Sequence, residues 1–210
     1  MDFDTLTFDS NGLIPGIVQD RSGSVRMMAW LNREALQRTL DTGFVTFWSR
    51  SRQSLWVKGE TSGNRLRLLQ IHPDCDGDTL LILAEPEGPS CHRGTQSCFD
   101  AVPEAGQAAT LPWLARLEAL LRARQATADP AGSYTQKLFA QGVDRIAKKV
   151  VEEAGEVILA AKNDDREAFL GEVADLLFHL DLLLLERGEG LLDVVEVLHR
   201  RHAGAAGRPS

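Results

Sequence analysis

The chain has 210 residues, a net charge of −7, 43% hydrophobic residues and 25% charged residues, as ordinary globular proteins of one or two domains do. The negative charge argues against non-specific nucleic-acid binding, which needs a basic surface. The most apolar run, residues 176–185, contains His179 and Asp181 and is too short to span a membrane.

The first half of the chain predicts a mostly-β domain. Residues 14–20 and 25–30 predict a hairpin with its turn at 21–24. Asn32 is a helix cap, residues 34–41 predict a short helix, and Gly43 ends it. Further strands are predicted at residues 44–48, 65–71 and 80–84.

The second half predicts an all-α domain. Residues 101–112 are rich in Ala, Gly and Pro without periodicity, which indicates a linker. A helix is predicted at 113–124, a loop at 127–133, helices from 134 to about 201, and a frayed tail at 203–210. We therefore expect an α+β protein of two domains, residues 1–110 and 111–210.

Three cysteines are candidate metal ligands. Fifteen residues separate Cys75 from Cys91, and six separate Cys91 from Cys98. Three thiolates can hold zinc and leave its fourth position open for water, as in a catalytic site. The alternative is three unrelated buried thiols, and the spacing alone does not decide between the two. Because three cysteines cannot all pair within one chain and the N-terminus is acidic without an apolar signal segment, we expect a cytoplasmic protein.

Three aspartates alternate around the first cysteine. On an extended segment Asp74, Asp76 and Asp78 point to one side and Cys75 to the other. Carboxylate oxygens suit a hard ion such as Mg²⁺, so one segment can offer both kinds of ligand. The alternative is an ordinary acidic turn.

These motifs resemble the phosphoribosyl-AMP cyclohydrolase family, whose members open an adenine ring in histidine biosynthesis. The resemblance lies in the ordered strings DCDGD, CHRG and SCF, preceded by MAWLN, WSRSR, LWVKGE and SGN, all within the first hundred residues. It implies that Cys75, Cys91 and Cys98 bind zinc and that the three aspartates bind Mg²⁺. It also implies a homodimer in which Cys75 of one subunit joins the other two cysteines of its partner.

The same resemblance implies roles for neighbouring residues. Zinc lowers the pKa of bound water to roughly 7, and the resulting hydroxide would attack C6 of the adenine ring. His92 is the candidate general base and His72 a weaker one. Trp48 and Trp56 favour a core role over stacking on the purine. Six residues are candidate contacts for the phosphoribosyl groups: Arg50, Arg52, Lys58, Ser62, Gly63 and Arg93.

The helical half carries carboxylates at helical spacing. Glu152 and Glu156 are four residues apart, a like-charge pair that costs a few tenths of a kcal/mol in an isolated helix. Glu153 lies between them. A bound cation would remove that cost, whereas the alternative is a solvated face balanced by Lys148 and Lys149.

The next predicted helix supports a bound cation over a solvated face. Residues 167–186 are apolar almost all round, which predicts a buried helix, yet Glu172, Asp175 and His179 form one polar stripe. Buried carboxylates need a partner, so the two helices predict a shared Mg²⁺. His179 is expected to be a hydrogen-bonding group and not a ligand.

These carboxylates resemble those of the all-α, MazG-like nucleoside-triphosphate pyrophosphatases. The strings SYT, KL and GxDRIxKK at residues 133–149 narrow the resemblance to phosphoribosyl-ATP pyrophosphohydrolase. It implies that Glu152, Glu153, Glu156, Glu172 and Asp175 bind Mg²⁺. Arg145, Lys148 and Lys149 are candidate phosphate contacts, whereas Lys137 favours a solvated surface.

Three alternative functions each require a motif or a site of their own. A di-iron bundle should show Glu-x-x-His on two helices, and neither helix has it. A nucleotide-pyrophosphate scavenger fused to another zinc hydrolase, such as a deaminase, should show Pro-Cys-x-x-Cys, which is also lacking. A non-enzymatic zinc module would need a closed site completed by His92 or His72. The sequence favours a bifunctional hydrolase acting on small phosphoribosyl-adenine nucleotides.

Overall fold

The computed structural model describes residues 3–100, 110–129 and 131–203. The chain forms two compact units, Met1–Thr110 and Leu111–Ser210. Residues 101–109 of the predicted linker and 204–210 of the predicted tail lie outside the described residues.

The N-terminal unit contains a four-stranded sheet in the order β2-β1-β6-β5. Its strands are β1 (Ile14–Gln19), β2 (Val25–Leu31), β5 (Leu66–Pro73) and β6 (Leu80–Pro86). β1 pairs in parallel with β6, and the other two pairings are antiparallel. A separate two-stranded hairpin consists of β3 (Thr46–Ser49) and β4 (Ser54–Val57). The prediction of a mostly-β first half is confirmed.

Local sequence signals explain the first helix, α1 (Arg33–Thr42). The Asn32 side chain accepts a hydrogen bond from the backbone N–H of Ala35, which caps the helix as predicted. Gly43 adopts a left-handed conformation with φ of 72° and ends the helix. Its N–H donates to the carbonyl of Thr39.

The two faces of the sheet have different environments. The inner face holds core residues such as Val18, Met27 and Ile82. On the outer face Ile17 pairs with both Met28 and Leu81, so these side chains lie in one row. Met28 is 46% exposed and Leu81 is 39% exposed. The sheet therefore presents an apolar outer face to solvent.

The hairpin differs from the prediction at 44–48. Its first strand begins at Thr46, and Ser54–Val57 adds a strand that was not predicted separately. The rings of Phe47 and Trp56 pack 5.1 Å apart, and Trp56 contacts the core. This arrangement supports the predicted core role of Trp56.

The C-terminal unit is helical, as predicted. It contains α2 (Trp113–Gln125), α3 (Tyr134–Gln141), α4 (Val143–Ala160), α5 (Arg166–Glu186) and α6 (Leu191–Ala203). Ser133 and Gln136 form a reciprocal capping box at the start of α3. Gly142, with φ of 79°, ends α3 and precedes α4. No helix within the described residues is long and apolar enough to cross a membrane.

The prediction that α5 is buried almost all round was wrong. Leu170, Leu177 and Leu180 are substantially exposed, because α2 and α4 pack against only part of its circumference. Its buried residues include His179, Leu182 and Leu185. Within this chain α5 is therefore a helix with one covered face and one exposed apolar face.

Asp181 is a buried carboxylate among the leucines of the last turns of α5. It is 2% exposed, and neither carboxylate oxygen has a hydrogen-bond partner among the described residues. Burial raises its pKa from 3.8 to about 6, and the nearby Glu118 charge adds to this effect while Arg122 opposes it. An ionised Asp181 therefore destabilises the folded protein.

We expect Asp181→Asn to stabilise the helical unit at pH 8 and to have little effect at pH 4. Because the folded-state pKa is raised, the penalty is absent below the unfolded value, grows between 3.8 and about 6, and is complete above that. Its upper limit is about 3 kcal/mol. Urea unfolding followed by circular dichroism at both pH values measures it, with exposed Asp164→Asn as the control. An equal gain at both pH values would contradict this origin.

Candidate metal centres

A loop between the sheet and the end of the N-terminal unit brings Cys91 and Cys98 together. The Cys91 N–H donates to the Thr95 carbonyl at 3.1 Å, and the Gly94 N–H donates to the Cys91 carbonyl at 3.0 Å. Gly94 has a φ of 83°, which only glycine adopts readily. This tight turn folds the chain back, which brings the sulfurs of Cys91 and Cys98 close to each other.

The two thiols affect each other's ionisation. A hydrogen bond from the backbone of Arg93, followed by hydrogen bonds from Thr95 and Cys98, lowers the pKa of Cys91. Burial, followed by the neighbouring Cys91, raises the pKa of Cys98. A low pKa favours the thiolate, which is the form that binds metal.

Lys58 lies beside this thiol pair. Burial lowers the pKa of Lys58, while the charges of Cys98 and Cys91 act in the opposite direction. Its amine donates to the Asn64 carbonyl at 3.1 Å. The predicted substrate contact Lys58 therefore lies next to two of the predicted zinc ligands.

Cys75 is not part of this pair within one chain. It is exposed in the turn after β5. Two groups of three metal-ligating side chains with ligand atoms within 4.8 Å of one another occur among the described residues, and neither contains a cysteine. A single chain therefore brings together two of the three predicted sulfurs.

Asp74, Asp76 and Asp78 form the first of those groups, and all three are exposed. Gly77, with φ of 74°, allows the turn that gathers them. Desolvation opposes ionisation of Asp74, but hydrogen bonds from Thr79 and Asp78 outweigh it and lower its pKa. The turn can offer three oxygen ligands to a hard cation.

The other predicted residues of this unit occupy several positions. His92 is exposed, with its Nδ1 atom 4.0 Å from the Cys91 sulfur. Arg50 stacks over the Trp30 ring at 4.9 Å. Arg52 donates to Ser49, and His72 donates to the Gln70 side chain on the outer sheet face. Ser62 accepts from the Asn64 N–H, Gly63 has φ of 78°, and Arg93 is exposed.

Glu153 and Glu156 on α4 and Glu172 on α5 form the second carboxylate group. Glu153 is only 5% exposed. Hydrogen bonding and repulsion from Glu153 raise the pKa of Glu156, and the Glu172 charge adds to the effect. Three acidic groups with this mutual repulsion suit a divalent cation. Glu152 and Asp175 lie outside the group.

Basic and aromatic residues hold this cluster in place. The Lys149 amine lies 2.7 Å from Glu153 and 2.8 Å from Glu152, and these hydrogen bonds raise its pKa. His179 Nδ1 donates to the Asp175 carbonyl at 2.8 Å and lies 3.6 Å from Glu153. The Tyr134 hydroxyl bonds His179 Nε2 at 3.0 Å. Lys149, a predicted phosphate contact, is thus bound to carboxylates, whereas Arg145 and Lys148 are exposed.

Sequence reasoning assigned no role to Tyr134 or Arg26. Tyr134 belongs to the SYT motif, but nothing in the sequence indicates that its hydroxyl contacts His179. Arg26 is 8% exposed and binds the cysteine loop. The available signal was an arginine inside an otherwise apolar strand, since arginine is seldom buried without partners.

Comparison with known proteins assigns each unit separately. Residues 27–100 match the family model for phosphoribosyl-AMP cyclohydrolase, and residues 114–202 match that for phosphoribosyl-ATP pyrophosphohydrolase. The "Histidine biosynthesis bifunctional protein HisIE" of Vibrio cholerae is 52% identical over 193 residues, covering 91% of this chain and 90% of the relative. The protein of the same name from Bacillus subtilis is 50% identical, covering 95% and 96%. That from Deinococcus radiodurans is 49% identical, covering 95% and 93%.

We expect Glu156→Gln to stabilise the metal-free helical unit, because it removes one of three mutually repelling charges. The same change should reduce the rise in thermal midpoint that a divalent cation produces. Thermal unfolding in EDTA and in MgCl₂ measures both effects. Glu189→Gln, at an exposed loop position, is the matched control. If Glu156→Gln lowered the midpoint in EDTA, the proposed repulsion would be wrong.

Proposed function

Because the chain belongs to the family of bifunctional histidine-biosynthesis proteins, which join a phosphoribosyl-AMP cyclohydrolase to a phosphoribosyl-ATP pyrophosphohydrolase, we propose that its two units act in turn on one nucleotide. Residues 111–210 form the pyrophosphohydrolase domain, which converts phosphoribosyl-ATP to phosphoribosyl-AMP and pyrophosphate. Residues 1–110 form the cyclohydrolase domain, which opens the adenine ring of that product. One observation carries this proposal: all three cysteines lie in one unit, and the other unit contains a carboxylate cluster without sulfur.

In the helical domain the carboxylates of Glu153, Glu156 and Glu172 would hold Mg²⁺, with Glu152 and Asp175 as further ligands. Bound Mg²⁺ would neutralise the triphosphate charge and polarise the scissile phosphoryl group. Lys149 and His179 hold Glu153 in position. The exposed cations Arg145 and Lys148 are available for the phosphates.

In the cyclohydrolase domain Cys91 and Cys98 would hold zinc together with Cys75. The lowered pKa of Cys91 supports this ligand role, since a metal-bound cysteine is a thiolate. Bound zinc would supply a water of lowered pKa for attack at C6 of the adenine ring. His92, beside the Cys91 sulfur, would accept a proton from the attacking water and return it to the departing nitrogen.

The substrate has two phosphates, and cationic side chains near the cysteines would bind them. Lys58 lies beside the sulfurs, and Arg93 follows Cys91 by two residues. Arg50, Arg52, Ser62 and Gly63 lie on and beside the β3–β4 hairpin as further candidates. Asp74, Asp76 and Asp78 would hold Mg²⁺ and present it to a phosphate or ribose oxygen.

We further propose a homodimer in the cytoplasm, with Cys75 of one subunit completing the zinc site of its partner. Cys75 is separate from Cys91 and Cys98 within one chain. The apolar outer face of the sheet, containing Ile17, Met28 and Leu81, offers a surface for the second subunit. Three free cysteines accord with a reducing compartment.

We expect the two activities to be lost separately. Cys91→Ser should abolish ring opening and leave pyrophosphate release unchanged, because the two ligand sets lie in different units. Glu156→Gln should reduce pyrophosphate release at least tenfold and leave ring opening of added phosphoribosyl-AMP unchanged. Pyrophosphate release is measured with phosphoribosyl-ATP as substrate, and ring opening is measured by purine absorbance with phosphoribosyl-AMP added as substrate. Loss of both activities in either variant would contradict the assignment.

Mixing two inactive variants tests the shared zinc site. In a Cys75→Ser and Cys91→Ser heterodimer, one of the two sites receives only intact ligands. Random exchange between two-fold symmetric dimers should therefore restore about one quarter of the wild-type ring-opening activity. A Cys91→Ser variant mixed with Cys98→Ser is the control, because both changes fall on the same side of the site and no intact site forms. Absence of restored activity after demonstrated subunit exchange would place all ligands within one subunit.

A further inference from the structure

Arg26 lies at an irregularity in the sheet. Val18 pairs with Met27 and the next residue, Gln19, pairs with Val25, so Arg26 is the extra residue of a β-bulge in β2. A bulge leaves its extra residue outside the ladder and redirects its side chain, and such bulges are frequent next to active sites. Arg26 is only 8% exposed. A buried arginine at such a position needs partners of its own.

Those partners belong mainly to the loop that carries two cysteines. Arg26 Nε donates to Ser90 Oγ at 3.2 Å, and an Nη atom donates to Gln96 Oε1 at 2.7 Å and to the Gly88 carbonyl at 3.4 Å. The other Nη atom lies 3.2 Å from Asp20 Oδ2. The planar guanidinium, with five N–H donors, can bind several such groups at once in fixed directions.

The backbone of the same bulge binds the end of the loop. The Arg26 carbonyl accepts the N–H of Cys98 at 2.9 Å, and the neighbouring Val25 carbonyl accepts the Ser97 hydroxyl at 2.7 Å. Ser90 directly precedes Cys91, while Gln96 precedes Cys98 by two residues. Arg26 thus contacts the loop before Cys91, between the two cysteines and at Cys98 itself.

Hydrogen bonds within the loop fix its turns, but few attach it to the sheet. Residues 87–100, all of which the structure describes, form neither helix nor strand. Its internal backbone bonds, from Ser90 to Gln96 and from Cys91 to Thr95, close the turn but do not attach it to the sheet. Attachment to β2 depends on the contacts of Arg26, Val25 and Ser97.

We propose that Arg26 is a positioning residue of the cyclohydrolase site, holding Cys91 and Cys98 at the separation that one metal ion requires. This inference rests on the proposed zinc site. The Arg26 side chain contacts the loop and not the sulfurs, so it acts through Ser90, Gln96 and the Gly88 carbonyl. Outer residues that orient metal ligands typically change metal affinity about 10- to 100-fold when they are replaced.

The test compares Arg26→Met, which keeps an apolar stem, with Arg67→Met, an exposed control on β5. Zinc affinity, measured by competition with a chromophoric chelator, should fall about 10- to 100-fold for Arg26→Met and stay unchanged for the control. In metal-free protein, mild oxidation should form the Cys91–Cys98 disulfide more slowly in Arg26→Met, because the thiols are less often in contact. Pyrophosphate release, which the other domain performs, should remain at the wild-type level.

A second variant separates positioning from general destabilisation. Gln96 is exposed, so Gln96→Ala should leave the thermal midpoint unchanged and still reduce zinc affinity. The Arg26→Met/Gln96→Ala double variant should be no worse than Arg26→Met, because both remove the same contact. Wild-type zinc affinity in Gln96→Ala, or additive losses of affinity in the double variant, would overturn the inference. The zinc affinity of Gln96→Ala tests the inference even if Arg26→Met fails to fold. Failure of the wild-type protein to open the ring with zinc would instead overturn the proposed function.

Discussion

Each candidate site must hold groups of like charge close together before any ion neutralises them. Glu153, Glu156 and Glu172 repel one another, as the raised pKa of Glu156 reflects. Lys149 offsets this repulsion by binding Glu153 directly. In the other unit Lys58 brings positive charge to the Cys91–Cys98 pair. The surrounding structure is therefore organised as much around these cations as around the ligands.

The two units meet this requirement by different structural means. On α4 and α5 the helical repeat itself places the carboxylates, because residues three and four apart share one face. The cysteines lie on a loop with no such repeat, so their separation depends on contacts from outside the loop. Arg26 and its bulge supply those contacts. A substitution at a distance from the ligands should therefore matter more in the cysteine loop than on the helices.

This difference also explains what the sequence could predict. The Asn32 cap, the Gly43 stop and the helical spacing of Glu153 and Glu156 are local features, and local rules are sufficient to place them. The approach of Cys91 to Cys98 depends on a bulge that shifts the strand register by one residue. No local sequence pattern predicts that bulge. The burial of α5 was wrongly predicted because apolar composition shows that a face will be covered but not whether this chain covers it.

The helical unit contains no cysteine, and this has a chemical consequence for a protein with two sites. Thiolates favour zinc, whereas clustered carboxylates favour Mg²⁺. If a cysteine lay beside the helical carboxylates, the higher affinity of zinc for sites that contain sulfur would let it displace Mg²⁺ there. Keeping sulfur out of the helical unit reduces that advantage, since the cluster there offers only oxygen ligands. One chain can then carry two hydrolytic activities in the same ionic medium, with cysteines in one unit and only oxygen ligands in the cluster of the other.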